Sequence, residues 1–405
     1  MVKTAVITLK DSPNYGGILQ AYALQKVIKK LGYECVLIDY MNDEFRHKFS
    51  FFGKPQGMST TYWIFKKLQY PLMKVMMKRM MPFYNHMEIT RQIKKPEELA
   101  VLNKEFDIFI TGSDQVWACD LNYYDDSYFL SFVADDHRKI SYAASFGRTA
   151  DMLKPEESGF IASKLKHINA ISVREESGID IVKELSDREA AAVLDPTFLL
   201  DRKEWEKIAN HNHKGRGKKY ILCYLMQSKK NDREALNFAK KMSKKTGFPI
   251  IKICRGLTSI LWGETFYIPT VEEWIGLFLD AEYIITNSFH GMAFSVNFNK
   301  NFLSFIEGDP KSGRNSRVYD RCKDFGLLER VHIVGSKEKI SMKKIDYKSV
   351  NRIKEVYKSS SIKWLKEQLD IPGGGYKVNY ILIKFFADMM PCIDMLSPKS
   401  IREAA

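Results

Sequence analysis

Short apolar segments that stop at polar, often glycine-bearing turns recur throughout this sequence, and they restrict its possible folds more than any other feature. The clearest example is Tyr283-Ile-Ile-Thr-Asn-Ser-Phe-His290-Gly291, after which a second apolar segment covers residues 292–298. This pattern predicts a strand, a tight turn and a helix. Units of this kind build parallel sheets whose ligand sites lie at the carboxyl ends of the strands.

The same alternation runs through the first half of the chain. Residues 4–9 predict a strand, Pro13-Asn-Tyr-Gly-Gly17 a turn, residues 18–31 a helix and residues 35–38 the next strand. Further strands, each ending at a polar turn, are predicted at residues 106–110, 140–144, 170–173 and 193–197. The first half is therefore predicted to be an α/β domain.

A charged, glycine-containing link at residues 211–219 separates this block from a second series. That series is predicted as a strand at 220–225, a helix at 233–244, a strand at 250–253, a helix at 271–280 and then the strand–turn–helix motif. We therefore predict two Rossmann-like α/β domains, residues 1–210 and 211–345. A helical C-terminal extension, residues 346–405, follows and begins with a long helix at 348–369.

The chain is basic, with 63 Lys and Arg against 49 Asp and Glu and a net charge of +14. This balance favours anionic partners: nucleic acid, acidic lipid surfaces, or small molecules that carry phosphate or carboxylate groups. Hydrophobic residues make up 45% of the 405 residues, which is enough for sizeable cores and excludes a disordered chain.

The six cysteines form no C-x-x-C pair and no zinc-type spacing with histidine, a distribution typical of a reduced protein. The apolar run at the N-terminus is too short for a signal peptide. No apolar stretch approaches the roughly 20 residues that cross a bilayer. We therefore expect a cytoplasmic protein without a metal site.

A basic helical insertion is predicted near residues 45–100 of the first domain. Its segment 62–84 mixes aromatic residues and methionines with five Lys and Arg side chains. Two interpretations are open: a helical lid packed on the first domain, or an amphipathic segment that touches an anionic membrane surface. Residues 379–393 are apolar but interrupted, and they allow surface association without spanning.

His290 is the leading candidate for chemistry because it lies at a predicted strand-to-helix turn. A helix that begins there directs unpaired N–H groups and the positive end of its dipole at the crevice, where a phosphate or carboxylate can bind. Arg174 directly follows the strand at 170–173 and can donate two parallel hydrogen bonds to such a group. The alternative is a structural ion pair of Arg174 with Glu175 or Glu176.

Asp114 lies in the turn after a predicted strand, where a carboxylate can orient or deprotonate a sugar hydroxyl. Aspartate at such a place is also a common helix cap. The Gly16-Gly17 pair allows a ligand to approach the backbone closely, although neither G-x-G-x-x-G nor G-x-x-x-x-G-K-[ST] is present. Arg314 and Arg317 form a basic loop that either closes on an anion or is solvated.

Six segments follow one another in a characteristic order over about residues 1–335. They are Asn14-Tyr-Gly-Gly-Ile-Leu-Gln-Ala-Tyr-Ala-Leu-Gln25, Thr111-Gly-Ser-Asp-Gln-Val-Trp117, Ser141-Tyr-Ala-Ala-Ser-Phe-Gly147, Ser172-Val-Arg-Glu175, Leu194-Asp-Pro-Thr197 and Asn287-Ser-Phe-His-Gly291. Together they resemble the polysaccharide pyruvyl transferase family. The resemblance implies two Rossmann-like domains facing a cleft, in a GT-B-like arrangement. It also implies phosphoenolpyruvate as donor substrate, no further cofactor, and a pyruvate ketal on a surface polysaccharide of the capsule or exopolysaccharide kind.

Carried onto this sequence, the resemblance implies that the first domain binds the acceptor and the second the donor. Donor binding is expected of Arg174, Ser288, His290, Gly291, Arg314 and Arg317, and acceptor binding of Asn14, Tyr15, Gly16, Gly17, Asp114 and Gln115. His290, as phosphate ligand or general acid, and Asp114, acting on the acceptor, are expected to be catalytic. Ser288 stands where the family motif has an arginine, so Arg314 or Arg317 is expected to supply the missing charge.

The expected acceptor is a saccharide, and a lipid-linked one would bring the protein to the inner face of the membrane. Nucleic acid is not expected as a partner because the sequence contains no recognisable nucleic-acid-binding module. Two alternatives stay open. One is a GT-B-type glycosyltransferase, whose nucleotide sugar would place its diphosphate at the same helix start. The other is a noncatalytic basic binding protein.

Overall fold

A computed structural model describes residues 2–41, 59–122, 124–226, 229–254, 266–309, 313–338, 340 and 342–371. Short apolar runs form strands and the amphipathic segments between them form helices, as expected for βαβ units. Both sheets within these residues are parallel, and helices cover their faces.

The first sheet lies within residues 3–192. Its elements are β1 Lys3–Ile7, α1 Tyr15–Lys30, β2 Glu34–Leu37, α2 Thr60–Met80, β3 Ile108–Thr111, α3 Cys119–Asn122, β4 Arg138–Ala144, α4 Pro155–Leu165, β5 Ala170–Val173, α5 Glu176–Ser186 and β6 Ala191–Ala192, with α6 Arg202–Glu206 following. The strands pair in the order β2-β1-β3-β4-β5-β6. In the register of this sheet Ala5 lies opposite Phe109, and Ile110 opposite Ile140.

The second sheet begins after the predicted link. Its elements are β7 Ile221–Tyr224, α7 Lys229–Thr246, β8 Ile250–Ile253, β9 Phe266–Tyr267, α8 Val271–Asp280, β10 Tyr283–Thr286, α9 Phe289–Asn297, β11 Asn301–Ile306, α10 Ser316–Asp324 and β12 Val331–Ile333, and α11 Tyr347–Asp370 follows. The strands pair in the order β12-β11-β10-β7-β8-β9. The predicted fold class, two Rossmann-like α/β domains, is confirmed.

Several predicted element boundaries differ from the structure, and two of these differences bear on the site. Helix α1 begins at Tyr15 and not at residue 18, so the Gly16-Gly17 pair lies in its first turn. The last strand of the first sheet is only Ala191–Ala192, whereas residues 193–197 were predicted to be extended. Pro196 has no N–H to donate to a sheet, and Asp195 instead caps a short 3₁₀ helix, Pro196–Phe198.

Aromatic side chains join the two domains in one continuous core. Tyr15 of α1 stacks on Trp274 of α8 with ring centroids 5.8 Å apart, and Trp205 of α6 meets Phe294 of α9 at 4.9 Å. Helix α11 returns to the first domain, where Trp364 packs on Tyr142. The predicted long helix at 348–369 is thus observed, and residues 372–405 of the predicted extension lie outside the described residues.

The predicted insertion contains α2 and a 3₁₀ helix, Met81–His86. Met76, Met80 and Phe83 are buried, as expected for a lid packed on the first domain. Arg79 reaches the second domain, where its Nη2 lies 2.7 Å from Oε2 of Glu273. Residues 42–58 of the insertion are outside the described part. Within the described ranges, no helix has the length and hydrophobicity that a membrane span requires.

Candidate active site

Polar side chains meet where the strands of both sheets end. Asp114 follows β3, Arg174 follows β5, Asp195 follows β6 and His290 follows β10. Ion-pair distances connect Arg174 to Asp114 and to Asp195, and Asp195 to His290. Residues that are far apart in the sequence therefore form one cluster at the carboxyl ends of the strands, at the contact between the domains.

Arg174 lies at the centre of this cluster and is only 2% exposed. Its guanidinium lies 3.1 Å from Asp195, 3.5 Å from Asp114 and 3.6 Å from Glu175, and it covers the Phe289 ring at 4.7 Å. Burial by itself lowers the pKa of Arg174. The three carboxylates raise this pKa by more than burial lowers it, so the net shift is upward. The predicted alternative, an ion pair of Arg174 with Glu175, is therefore observed. The direct contact of Arg174 with the donor stays a prediction.

Asp195 connects the two domains and is fully buried. Its carboxylate accepts hydrogen bonds from the Ser113 hydroxyl and from the backbone N–H and hydroxyl of Thr197. Its Oδ2 lies 3.7 Å from Nε2 of His290, which is too long for a hydrogen bond. Burial by itself raises the pKa of Asp195, but His290, Arg174 and Thr197 hold it well below its usual range.

His290 occupies the first turn of α9, which Ser288 caps by accepting a hydrogen bond from the Gly291 N–H. The capping role explains how a serine can stand where an arginine was expected. His290 is 5% exposed, and its Nε2 has no hydrogen-bond partner among the described residues. A buried ring nitrogen without a partner is costly unless a ligand or water completes its bonding.

The start of α1 lies against His290. A Cβ atom placed on Gly16 would lie 2.1 Å from Nδ1 of His290, so only glycine allows this approach. Asn14, the N-cap of α1, makes no side-chain capping bond within the described residues, and the first turn contains no acidic residue. The first turns of α1 and α9 therefore lie against each other, and the positive ends of both helix dipoles are close together.

Asp114 is buried beside the start of α1 and adopts a left-handed φ of 69°. The next helix begins only at Cys119, so the alternative of a helix cap is wrong. A Cβ on Gly17 would lie 3.7 Å from Oδ2 of Asp114, which places the carboxylate beside the first turn of α1. Its neighbour Gln115 packs its amide oxygen against Gly147, where a Cβ would come within 2.5 Å.

Tyr15 does not lie in a position that favours acceptor binding. Its side chain is fully buried, and its hydroxyl donates a hydrogen bond to the carbonyl of Pro269 in the second domain. The ring stacks on Trp274. We therefore assign Tyr15 to the contact between the domains.

The predicted basic loop is helical in part. Arg317 lies in the first turn of α10 and is 9% exposed, while the side chain of Arg314 is outside what the structure describes. Arg321, one turn after Arg317 on the same helix face, donates a hydrogen bond to the backbone carbonyl of Arg174. This face of α10 therefore lies against the first domain.

One group of side chains among the described residues has the composition of a metal site: His211, His213 and Asp280. His213 accepts a hydrogen bond from the Gly215 N–H at Nδ1, so its Nε2 carries the hydrogen that faces Asp280. Asp280 ends α8 just before β10 begins, so the group lies at the amino end of this strand. His290 follows the carboxyl end of the same strand, at the opposite edge of the sheet. That the reaction needs no metal stays a prediction.

The family model of polysaccharide pyruvyl transferases matches residues 14–309, which include every member of the cluster. The chain belongs to the polysaccharide pyruvyl transferase family. It is therefore a transferase of polysaccharide biosynthesis, as the order of its sequence motifs predicted. No curated protein matches the chain.

Solved structures with a similar course of the chain include sugar-nucleotide enzymes. The UDP-GlcNAc 2-epimerase from Neisseria meningitidis bound to UDP-GlcNAc is 12% identical, with a TM-score of 0.45 over 91% of this chain and 99% of that chain. The ADP-heptose LPS heptosyltransferase II of E. coli is 9% identical, with a TM-score of 0.36 over 91% and 100%. At this level the likeness says nothing about the chemistry of this pyruvyl transferase family member.

The sequence motifs of the pyruvyl transferase contain cluster residues that were not predicted to be site residues. Asp195 lies in Leu194-Asp-Pro-Thr197, and Ser113 in Thr111-Gly-Ser-Asp-Gln-Val-Trp117. The sequence signal for Asp195 was its place directly before Pro196 at the end of an apolar run. Because proline cannot donate a hydrogen bond to the sheet, a carboxylate at this position is expected to lie at the end of a strand.

Replacing Gly16 with alanine should displace His290 and lower the activity of the pyruvyl transferase by about 100-fold, because misplacing a catalytic group by an ångström has effects of this order. The new Cβ would meet the ring and also its Cβ at 2.8 Å, so rotation of the ring alone does not relieve the contact. Gly159→Ala in α4 is the matched control, since nothing lies within 4 Å of the added Cβ. Equal activity of the two variants would contradict the predicted contact.

Asp320 of α10 should make the stability of the transferase depend on pH. Burial, together with Glu176 and Asp324, raises the pKa of Asp320 to about 7. The unfolded chain loses this proton near pH 4, so stability falls as the pH rises from about 4 to about 7.

Asp320→Asn should therefore raise the melting temperature at pH 8 by about 2–5 °C, for about 1–2 kcal/mol after discounting solvent screening. The gain should shrink toward pH 4. Asp187→Asn serves as the control, because the hydrogen bond from Lys183 lowers the pKa of this exposed carboxyl. A gain for Asp320→Asn that is the same at pH 4.5 and pH 8 would exclude this linkage.

Proposed function

We propose that this protein transfers the pyruvyl group of phosphoenolpyruvate onto two hydroxyls of a surface polysaccharide or its lipid-linked precursor, with release of phosphate. The family match supports pyruvyl transfer. The observation that carries the proposed donor is His290, a buried ring whose Nε2 has no hydrogen-bond partner in the described part of the chain, at the convergence of two helix N-termini. Such a place suits an anionic substrate that needs a proton.

The reaction balances without a metal or a redox partner. A proton adds to the methylene carbon of phosphoenolpyruvate, and the first sugar hydroxyl forms a bond to the neighbouring carbon. The bond from that carbon to the phosphate oxygen then breaks, and the second hydroxyl forms the ketal. Of the two hydroxyl protons, one replaces the proton given to the methyl group and the other leaves with phosphate.

In this proposal His290 gives the proton to the methylene carbon, and the N-termini of α1 and α9 bind the anionic groups of the donor. Ser288 and Gly291 form the cap that orders the start of α9, while Arg317 or Arg314 supplies the positive charge that Ser288 lacks. Asp114 accepts a hydroxyl proton from the acceptor.

The buried ion pairs motivate different roles for Arg174 and Asp195. Arg174 holds Asp114 in place and offsets its charge, and Asp195 faces the ring of His290. In this proposal Asp195 is a positioning residue, and Arg174 holds Asp114 in addition to its predicted contact with the donor. Asn14 and Gln115, both half-buried at the same edge, bind the acceptor together with the backbone at Gly16 and Gly17.

The proposed setting is the cytoplasmic side of the membrane, where a lipid-linked saccharide would be presented. The donor is a substrate, and no cofactor takes part.

The experiment incubates the full chain with phosphoenolpyruvate labelled in its carbon atoms and with a panel of free and lipid-linked saccharides. Label in a saccharide, with an equal amount of phosphate released, is expected.

A second measurement separates the proposal from a nucleotide-sugar glycosyltransferase. Phosphoenolpyruvate should raise the melting temperature of the protein, whereas UDP- and ADP-sugars should not, since a ligand stabilises the folded state that binds it. If only a nucleotide sugar raised the melting temperature, phosphoenolpyruvate would be wrong as the donor and a nucleotide sugar would take its place. Binding of phosphoenolpyruvate without label in any saccharide would leave the donor in place and contradict the proposed acceptor class.

A further inference from the structure

Helix α2 of the insertion exposes an apolar face that nothing in the catalytic proposal uses. Ile64, Leu68 and Val75 are 51%, 63% and 48% exposed, and Pro71 is exposed between them. Their spacing of i, i+4, i+7 and i+11 places them in one stripe along the helix. We call this stripe the outer face of α2.

The opposite side of α2 is already occupied. Met76 and Met80 are 2% and 1% exposed, and Met80 belongs to the hydrophobic core. At 100° per residue, Met76 and Met80 lie about 120° and 160° around the helix from Ile64. The helix therefore already has a buried side that packs on the core, and the outer face is a second apolar surface.

Lysines border the outer face along one edge. Lys67, Lys74 and Lys78 follow one another at seven- and four-residue spacing, within about 80° of Ile64 on the helix. Residues 45–87 include further Lys and Arg but neither Asp nor Glu. A stripe of apolar side chains beside lysines, in a segment without acidic residues, complements a surface that is apolar within and negatively charged outside.

We propose that the outer face of α2 docks on an anionic phospholipid membrane. The helix lies in the plane of the interface, Ile64, Leu68 and Val75 enter the acyl boundary, and Lys74 and Lys78 contact the lipid headgroups. A peripheral contact of this kind needs only one amphipathic helix, and no part of the chain has to cross the bilayer.

The insertion also connects this face to the candidate active site. The Tyr84 hydroxyl lies 3.0 Å from the backbone carbonyl of Lys10 and 2.9 Å from Oδ1 of Asp11. These residues form the loop that leads to Asn14 and the start of α1. Docking through α2 would therefore hold the acceptor side of the site near the membrane surface.

The test measures binding of the full chain to vesicles by co-sedimentation. Wild-type protein should bind vesicles of phosphatidylcholine with about 30% phosphatidylglycerol and leave pure phosphatidylcholine largely unbound. Leu68→Glu combined with Val75→Glu should lower the partition coefficient by about tenfold or more. Because both side chains are exposed, the melting temperature should stay at the wild-type value.

The control variant combines Val2→Glu with Leu328→Glu, which changes two apolar side chains of similar exposure, 41% and 39%, and alters the net charge equally. It should bind as the wild type does. The inference is overturned if wild-type protein ignores anionic vesicles, if it binds neutral ones equally well, or if both double variants lose binding to the same extent. A dimer of the wild type that Leu68→Glu with Val75→Glu dissociates, with vesicle binding unchanged, would assign the face to a second copy and also overturn it.

Discussion

His290→Gln should lower phosphate release from phosphoenolpyruvate by about 10²–10⁴-fold, the usual contribution of a general acid. Glutamine is similar in size to histidine, but its amide cannot donate a proton to carbon. The fold should survive, because no described residue bonds to Nε2 of His290 and the substitution breaks no hydrogen bond there. Initial rates of phosphate release, with circular dichroism and melting curves on the same samples, measure both effects.

His332→Gln is the matched control. This histidine is also 5% exposed in the second domain, but its Nε2 lies 2.7 Å from Glu234. Its loss should lower stability by about 1–3 kcal/mol and leave the rate unchanged. A wild-type rate in His290→Gln would remove His290 from the mechanism. A lower kcat at unchanged KM indicates a proton donor, whereas a raised KM indicates a phosphate ligand.

The repeating strand–turn–helix pattern predicted most of the fold because it is a local property of the sequence. The strands at 170–173 and 250–253 and the helix at 271–280 are observed with the predicted bounds. Each is set by a run of apolar residues and by the turn residues beside it. The start of α1 was predicted three residues too late because Gly16 and Gly17, whose helix propensity is low, lie within the helix.

The candidate site was predicted only in part, because its contacts join residues that are distant in the sequence. The positions of Asp114, Arg174 and His290 at strand ends follow from local patterns. Their mutual distances follow from the order of the strands in the sheets and from the contact between the domains, which no local pattern encodes. Sequence position therefore indicated that Arg174 reaches the crevice, but not that Asp195 and Asp114 already occupy its guanidinium.

Arg174→Met should lower the free energy of unfolding by about 3–5 kcal/mol, because it leaves Asp114, Glu175 and Asp195 buried together without their cation. The thioether chain fills the space of the arginine stem but carries no charge. Chemical denaturation, followed by circular dichroism, measures the change. Lys183→Met on α5 is the control, since its ion pair with Asp187 is exposed and contributes little to stability.

The network also predicts how Arg174 and Asp195 combine. Asp195→Asn removes one of the carboxylates, so it should cost less stability in the Arg174→Met background than in the wild type, and the two effects should be non-additive by about 1–3 kcal/mol. Additive effects would show that the two side chains do not interact energetically, despite their 3.1 Å separation. Because Arg174→Met weakens the whole cluster, a loss of activity in this variant alone does not identify Arg174 as a donor ligand. His290→Gln changes the chemistry while the ion pairs around Arg174 remain, so the two variants together separate what the cluster does for the fold from what it does for the reaction.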